Sequence, residues 1–275
     1  MEFGADNLFK KLRDVLLAKP LYFDIITLET PWQRRWAGKI DKNLAMKQHE
    51  NMCTVLKSER VRCHFLPIVK DYDQKDSRDV GIISSKGAIV ATQKHIDVKG
   101  GEAGAFIEFC NKNNIPVLNK DYKIRFEGGD FFFVDESTAI IGVGARTEFT
   151  SAEAMQKLLN KPNMQIIPHK VSHHLDGAFN IISKNLAVLD ERYVNAECFP
   201  YIKNKKIIST SKEDFMTMPA NFLLLNENKI LADSGCHKFN KILERERVEV
   251  IEVEVSELKK NGGSIRCMTL PILRK

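Results

Sequence analysis

The sequence has no apolar run approaching the roughly 20 residues that span a bilayer, so no membrane helix is expected. It has no CxxC pair: the six cysteines stand apart at 53, 63, 110, 198, 236 and 267. Its first residues, Met1-Glu2-Phe3-Gly4-Ala5-Asp6, lack the basic-then-apolar pattern of a secretory signal. Scattered cysteines without such a signal predict reduced thiols and a cytoplasmic protein. Charge of one sign is also scarce, with 42 basic against 36 acidic side chains and a net charge of +6. The longest basic cluster, Lys203-Asn204-Lys205-Lys206, is too short to outline a nucleic-acid surface, and no nucleic acid is expected as a partner. What is present is ordinary globular composition, 43% hydrophobic and 28% charged. That excludes collagen, a coiled-coil rod and a disordered chain. At 275 residues the chain can bury a large core without a disulfide or metal staple, and residues 1–275 read as a single domain.

The chain repeats itself. Four segments share a polar or acidic lead residue, a short apolar run, a polar turn and a second apolar run. They are DVGIISSKGAIV (79–90), EGGDFFFVDESTAIIGV (127–143), HLDGAFNIISKNLAVL (174–189) and NFLLLNENKILA (221–232). Short apolar runs bounded by Ser, Asn, Asp and Gly predict buried strands paired in hairpins. The lead residues are Asp79, Glu127, His174 and Asn221, and Cys267 opens a final strand in the same rhythm; the spacings are 48, 47, 47 and 46. Helix-like stretches follow several hairpins, at 104–111, at 236–247 and from Thr150, where Thr150-Ser151-Ala152-Glu153 fits a capping box. Further strands are predicted at 115–118, 164–167 and 248–251. The unit is strand–strand–helix–strand, and five units average 55 residues. An N-terminal strand near 21–27 would pair with the last one to close the set, and the five lead residues would then converge on one channel.

Those residues carry chemistry. Cys267 follows Gly262-Gly263, a flexible approach to its strand, and Arg266 beside it would lower the thiol pKa. Asp176 lies two residues past His174, on the same face if the segment is a strand. Glu127 and Asp130 flank Gly128-Gly129, and Asp79 adds another acid. Carboxylates hold a planar guanidinium by paired hydrogen bonds. A thiolate beside that fixed cation can attack its central carbon, and a histidine can protonate the leaving amine and then activate water. No two candidate ligands have local metal spacing and the acid count is high for zinc, so no metal or other cofactor is expected.

On the segments FEGGDFFF…IIGVGARTE (126–148), HHLDGAFNII (173–182) and GGSIRCMTLPI (262–272), the sequence resembles the guanidino-group-modifying enzymes. These include arginine deiminases, dimethylarginine dimethylaminohydrolases, agmatine deiminases and amidinotransferases. The resemblance covers roughly residues 75–275 and is nearest to the arginine deiminase-like hydrolases. It implies an α/β fold, a five-bladed α/β propeller (the pentein fold) of ββαβ units around a central channel. By position it implies Cys267 as nucleophile and His174 as general acid and base. Glu127 would contact both that histidine and the guanidinium, and Asp79 and Asp176, with Asp130 nearby, would bind the cation. Arg146 matches an arginine that binds the substrate α-carboxylate. The implied partner is a small guanidino compound, arginine or a derivative, turned into a ureido product. Dimers are common among relatives, but no patch in the sequence argues for a homodimer.

The departures bear on the substrate. The chain has no room for the helical insertion of arginine deiminases. It has Asp71-Tyr72-Asp73-Gln74 where they carry an asparagine, and shows no second carboxylate-binding arginine near Lys99-Gly100-Gly101. Asp176 is an acid where dimethylarginine hydrolases usually lack one, and the nucleophile strand lacks the aromatics of amidinotransferases. His173 beside His174 is a second candidate, and the register through Asp176 favours His174. Amidino transfer to an amine, and a dihydrolase that continues to the free amine, are the rival activities. The rival from another class is a ribosome-binding protein of the same fold.

Overall fold

The structure is a computed structural model of the 275-residue chain. It describes all residues except 26, 27, 29, 30, 71–73, 93–95, 121, 122, 145, 162, 172, 173, 196–199, 212 and 214–216, and the side chains of 96–100 and 200. His173, Asp71 to Asp73 and the side chain of Lys99 therefore lie outside the described residues.

The strands, in chain order, are β1 (Leu12–Leu17), β2 (Arg62–Phe65), β3 (Gly81–Ser84), β4 (Gly87–Val90), β5 (Phe131–Phe133), β6 (Thr138–Gly144) and β7 (Gln165–Val171), then β8 (Phe179–Ser183), β9 (Leu186–Leu189), β10 (Lys206–Ser209), β11 (Leu223–Asn226), β12 (Lys229–Asp233), β13 (Glu249–Val253) and β14 (Leu270–Arg274). The helices are α1 (Pro31–Trp36), α2 (Lys42–Ser58), α3 (Ile96–Lys112), α4 (Phe149–Leu159), α5 (Leu175–Ala178) and α6 (His237–Arg245). Among the described residues the strands form five separate small sheets: β14-β1-β2, β3-β4, β5-β6-β7, β8-β9-β10 and β11-β12-β13. In each three-stranded sheet an antiparallel pair is extended by one parallel strand. The β3-β4 pair gains only a single parallel bridge, Ala88 to Val117, where 115–118 was expected as a full strand.

All four predicted hairpins are present. Their first strands are buried on both faces, which is why they read as unbroken apolar runs rather than alternating ones. In β5, Phe131 and Phe133 pack with Ile82, Ile89 and Ile141, while Phe132 packs with Phe179, Ile181 and Leu224 on the other side. In β11, Leu224 joins that second cluster, and Leu223 and Leu225 pack with Leu12 and Val15. A last cluster joins Leu16 and Ile272 to Ile83 and Ala88. The apolar packing thus passes from each sheet to the next and returns to the first. Each fully buried Phe or Leu contributes roughly 1.5–3 kcal/mol.

The N-terminal pairing differs from expectation. The strand that meets β14 is β1, with Val15 opposite Pro271 and Leu16 opposite Leu270, and not residues 21–25; 26 and 27 lie outside the described residues. Asp14 obscures β1 in the sequence. Its buried carboxylate takes a two-pronged ion pair from Arg62 at 2.7 and 2.8 Å and a third contact from His64 at 2.7 Å. The helix after β6 starts at Phe149 and its Glu148 cap makes no side-chain hydrogen bond. The expected capping box is absent because the helix begins ahead of it: Thr150 already lies inside the first turn, and Ser151 Oγ donates to Arg125 O.

Candidate active site

Each lead residue precedes its strand rather than opening it, because a short turn intervenes at the four titratable positions. Asp79 lies in a 3-10 turn, Ser77–Val80, ahead of β3. Ser77 Oγ ties this turn to Leu16 O and Met268 O, both at 2.9 Å, and Arg78 N donates to Cys267 O at 2.9 Å. Glu127 has extended backbone and leads into the turn Gly128–Asp130 before β5. Only glycine fits at 128, where a Cβ would stand 2.0 Å from Arg78 O and 2.4 Å from Gly81 O. A Cβ at Gly129 would lie 3.1 Å from both Asp79 Oδ1 and Asp176 Oδ2, so this glycine lets two acids approach one another.

His174 caps α5, a single helical turn that contains Asp176 and leads into β8. The two residues are therefore neighbours through a helical turn, not through strand alternation as the sequence suggested. Leu175 N donates to Asp130 Oδ1 at 2.8 Å, and Thr147 Oγ1 donates to Asp130 Oδ2 at 2.7 Å. Glu127 N donates to the same threonine hydroxyl at 3.2 Å. Both oxygens of Asp130 are thus engaged in holding the turns of Glu127 and His174 together.

Cys267 sits in a turn three residues before β14, anchored by Met268 N to Ser264 O at 3.1 Å and Thr269 N to Arg266 O at 3.1 Å. Gly262 and Gly263 before it hold φ of +89° and +73°, values that favour glycine. The sequence reading gave Asn221 no role beyond the repeat, yet it organises this segment. Its Oδ1 accepts from Ser264 N, Arg266 N and Cys267 N at 3.1 to 3.2 Å. Its Nδ2 donates to Cys267 Sγ at 3.1 Å and to Asp176 O at 3.1 Å. Lys75 and Asp76 also went unnoticed. Lys75 Nζ is buried against Asp76 at 2.6 Å and Gly262 O at 2.7 Å, and Asp76 Oδ1 lies 3.0 Å from where a Cβ on Gly263 would stand. Their signal was available, since both fall within four residues of Asp79.

The titratable groups converge. His174 Nε2 meets Glu127 Oε2 at 2.5 Å, and Arg146 Nη1 approaches Glu127 Oε1 at 3.5 Å from a side chain 31% exposed. Cys267 Sγ lies 3.6 and 3.8 Å from the two oxygens of Asp176. Asp79, Glu127, Asp130 and Asp176 are all buried. Burial pulls the His174 imidazolium down, but Glu127, then Asp79 and Asp130, reverse this and hold it up at about 10. Burial raises Asp176 to about 6 against the opposing pull of Arg266, and raises Asp130 to about 6 as well. Burial, then Asp176, Asp76 and Asp79, push the Cys267 thiol well above its ordinary value. Arg266 does not produce the lowered thiol pKa expected of it. Its guanidinium stacks over the Phe132 ring at 3.7 Å and its Nε faces Asp176 Oδ2 at 3.7 Å.

The result is a cluster of four buried carboxylates around one imidazole and one thiol. Ligand atoms of Asp79, Glu127 and His174 lie within 4.8 Å of one another, close enough to surround a cation. The carboxylates also match the N–H donors of a planar organic cation such as a guanidinium.

A family model for N,N dimethylarginine dimethylhydrolase, eukaryotic, matches residues 28–274. The chain belongs to that family. It is thereby a member of the guanidino-modifying pentein superfamily, whose hydrolases and amidinotransferases share its α/β fold. The uncharacterized protein YkgA of Bacillus subtilis is 26% identical over 269 residues, 96% of this chain and 92% of its own. The arginine deiminase of Bacillus cytotoxicus is 27% identical over 224 residues, and the chain spans 54% of that relative's length. Among solved structures, the N-terminal domain of ArgZ, an arginine dihydrolase from the ornithine-ammonia cycle in cyanobacteria, matches with a TM-score of 0.84 at 20% identity, over 95% of this chain and 97% of that one. SxtG, an amidinotransferase from Microseira wollei, matches with a TM-score of 0.79 at 14% identity, over 99% and 97%. No described helix is long and apolar enough to cross a membrane.

Proposed function

We propose that the chain hydrolyses a guanidino C–N bond, with arginine as substrate and citrulline and ammonia as products, through a covalent intermediate on Cys267. The observation that carries this reading is the junction of Cys267 Sγ with Asn221 Nδ2 at 3.1 Å and Asp176 at 3.6 Å, in the same pocket as the 2.5 Å His174–Glu127 pair. The propeller belongs to the same proposal. Residues 1–275 form one domain whose five sheets are blades, which the cyclic order of apolar packing supports.

The chemistry follows from the charges. The guanidinium docks between Asp79 and Asp176, with Glu127 reaching it from the His174 side. Its positive charge offsets the acids that keep Cys267 protonated, so the thiol ionises as substrate binds and its proton passes to solvent. The thiolate attacks the central guanidino carbon. His174 gives its proton to the departing nitrogen, ammonia leaves, and a thiouronium remains. A water then loses a proton to neutral His174 and adds to the same carbon, and collapse breaks the C–S bond to release the ureido product. Arg146, exposed at the edge of the pocket, binds the substrate α-carboxylate. Asp130 acts through Leu175 N and Thr147 and is a positioning residue.

An unsubstituted guanidinium offers five N–H donors, and each methyl group removes one. Four buried acids favour the unsubstituted cation. The family match favours the second reading, hydrolysis of a dimethylarginine to citrulline and dimethylamine. Mass spectrometry separates them: arginine should gain about one mass unit, whereas a dimethylarginine substrate would lose dimethylamine. Loss of the whole guanidino carbon would mean a dihydrolase, and product only with an added amine would mean amidino transfer. In each case Cys267→Ser should reduce turnover by at least about 10⁴-fold; full turnover in that variant would overturn the covalent mechanism.

A further inference from the structure

Behind the acidic pocket, the same interior holds three buried arginines, Arg78, Arg266 and Arg274. They line a cavity of about 30 Å³ whose other lining side chains, among them Ile82, Phe132 and Leu270, are all apolar. This volume has room for one monoatomic ion or one or two water molecules and is too small for an organic acid. Arg274 is supplied with acceptors: Leu8 O and Lys10 O at 3.0 Å and Leu224 O at 2.6 Å. Arg266 has one long contact, Nη2 to Phe131 O at 3.4 Å. Arg78 Nε, Arg78 Nη2 and Arg266 Nε have no hydrogen-bond acceptor among the described residues. Asp176 approaches Arg266 Nε only at 3.7 Å, beyond hydrogen-bond distance.

We infer that this cavity is a binding site for a single monovalent anion of the halide class, chloride in the cell, held by Arg78 and Arg266. The side chains around it present donors and hydrocarbon, with no side-chain acceptor. A water molecule would accept from the guanidiniums but would find no side chain to receive its own two hydrogens, and Phe131 O is already taken by Arg266 Nη2 at 3.4 Å. A halide accepts from several donors and has none to satisfy. It also adds negative charge beside two buried guanidiniums whose nearest carboxylate, Asp176, reaches Arg266 Nε only at 3.7 Å. The lowered pKa of Arg266, caused first by burial and next by Arg78, reports that repulsion. The site does not depend on the reaction proposed for Cys267.

The test uses the intact wild-type chain and bromide as probe. Crystals grown in sodium bromide should show an anomalous peak between Arg78 and Arg266. The melting temperature should rise with sodium chloride or bromide along a saturating curve, reaching about 3 °C above sodium gluconate at equal ionic strength. Arg78→Met should remove that halide-specific difference. Absence of the peak, or a peak without any difference between halide and gluconate, would overturn the inference.

Discussion

The interior holds two clusters of buried charge in contact with one another, one of acids and one of arginines. Asp79, Glu127, Asp130 and Asp176 all lie in or beside short turns ahead of strands. Of the arginines, Arg274 lies within a strand, and Arg78 and Arg266 flank Asp79 and Cys267 in sequence. Burial acts on both with opposite sign, raising Asp130 and Asp176 to about 6 and lowering Arg78 to about 10 and Arg274 to about 9. Their partners differ. Arg274 is fixed by backbone carbonyls and Arg266 by an aromatic face, groups that cannot leave. Of the acids, Asp130 is held by Leu175 N and Thr147 Oγ1, Glu127 meets His174 and Arg146, and Asp176 lies against the Cys267 thiol. The two clusters thus differ in their surroundings: the arginines face carbonyls, an aromatic ring and a small apolar cavity, the acids a thiol and titratable partners. The border between them is the 3.7 Å approach of Arg266 to Asp176.

The largest break in this contrast should come from Glu127→Gln. Removing the charge nearest His174 should lower kcat by about 10³-fold. In the wild type, kcat/KM should rise through about pH 6 as Asp176 ionises and fall toward pH 10 as His174 loses its proton. In the variant the alkaline limb should move toward neutrality; an unmoved limb in a pH–rate profile would detach His174 from Glu127.

On the other side of the border, Arg274→Met should act on stability. It strands three carbonyl acceptors, and chemical denaturation should show a loss of about 3 kcal/mol. A loss below about 0.5 kcal/mol would mean that those carbonyls find other donors.

Asp176→Asn separates the clusters differently. Because its folded pKa of about 6 exceeds the ordinary 3.8, the folded chain binds more protons than the unfolded one between about pH 4 and 6. Its contribution to stability is present below that window and is lost as pH rises through it. The variant should be inactive yet more stable than the wild type by about 2 kcal/mol at pH 8, with the gap closing below pH 4. Equal stability of the two at pH 8 would contradict the cost assigned to this buried acid.

A smaller effect is expected from Asn221→Ala, which frees the Cys267 turn and removes the donor to Sγ. Turnover should fall about tenfold, and alkylation of Cys267 in the resting enzyme should slow, because the lost donor favoured the thiolate. Unchanged alkylation with reduced turnover would assign Asn221 to the turn alone.

Much of this was legible in the sequence because both faces of the inner strands are buried. That leaves short apolar runs between polar turns, and the rhythm of Asp79, Glu127, His174, Asn221 and Cys267 stands out. The turns ahead of the strands were not legible, because Gly128-Gly129 and the single turn of α5 are too short for any periodicity to reveal. Two kinds of element were missed for lack of local signal. Strand β10, Lys206–Ser209, begins in what read as a basic surface cluster, and β1 carries Asp14, whose partners Arg62 and His64 lie about fifty residues away. The clamp by Asn221 spans 46 residues to Cys267 and is visible only once the chain has folded.

The pairing of β1 with β14 has a kinetic consequence. Val15 meets Pro271 across nearly the whole length of the chain, so this contact closes a loop that takes in almost every other element. Hairpins such as β3-β4 form from neighbours and carry little loop-closure cost, whereas this one waits on distant segments. Cys267 lies just before β14, in a turn tied through Ser77 to both Met268 and Leu16. A nascent chain with its local hairpins complete would still lack an ordered thiol. Acquisition of that thiol's environment would therefore mark the last stage of maturation, and a refolding experiment that follows Cys267 reactivity would time it.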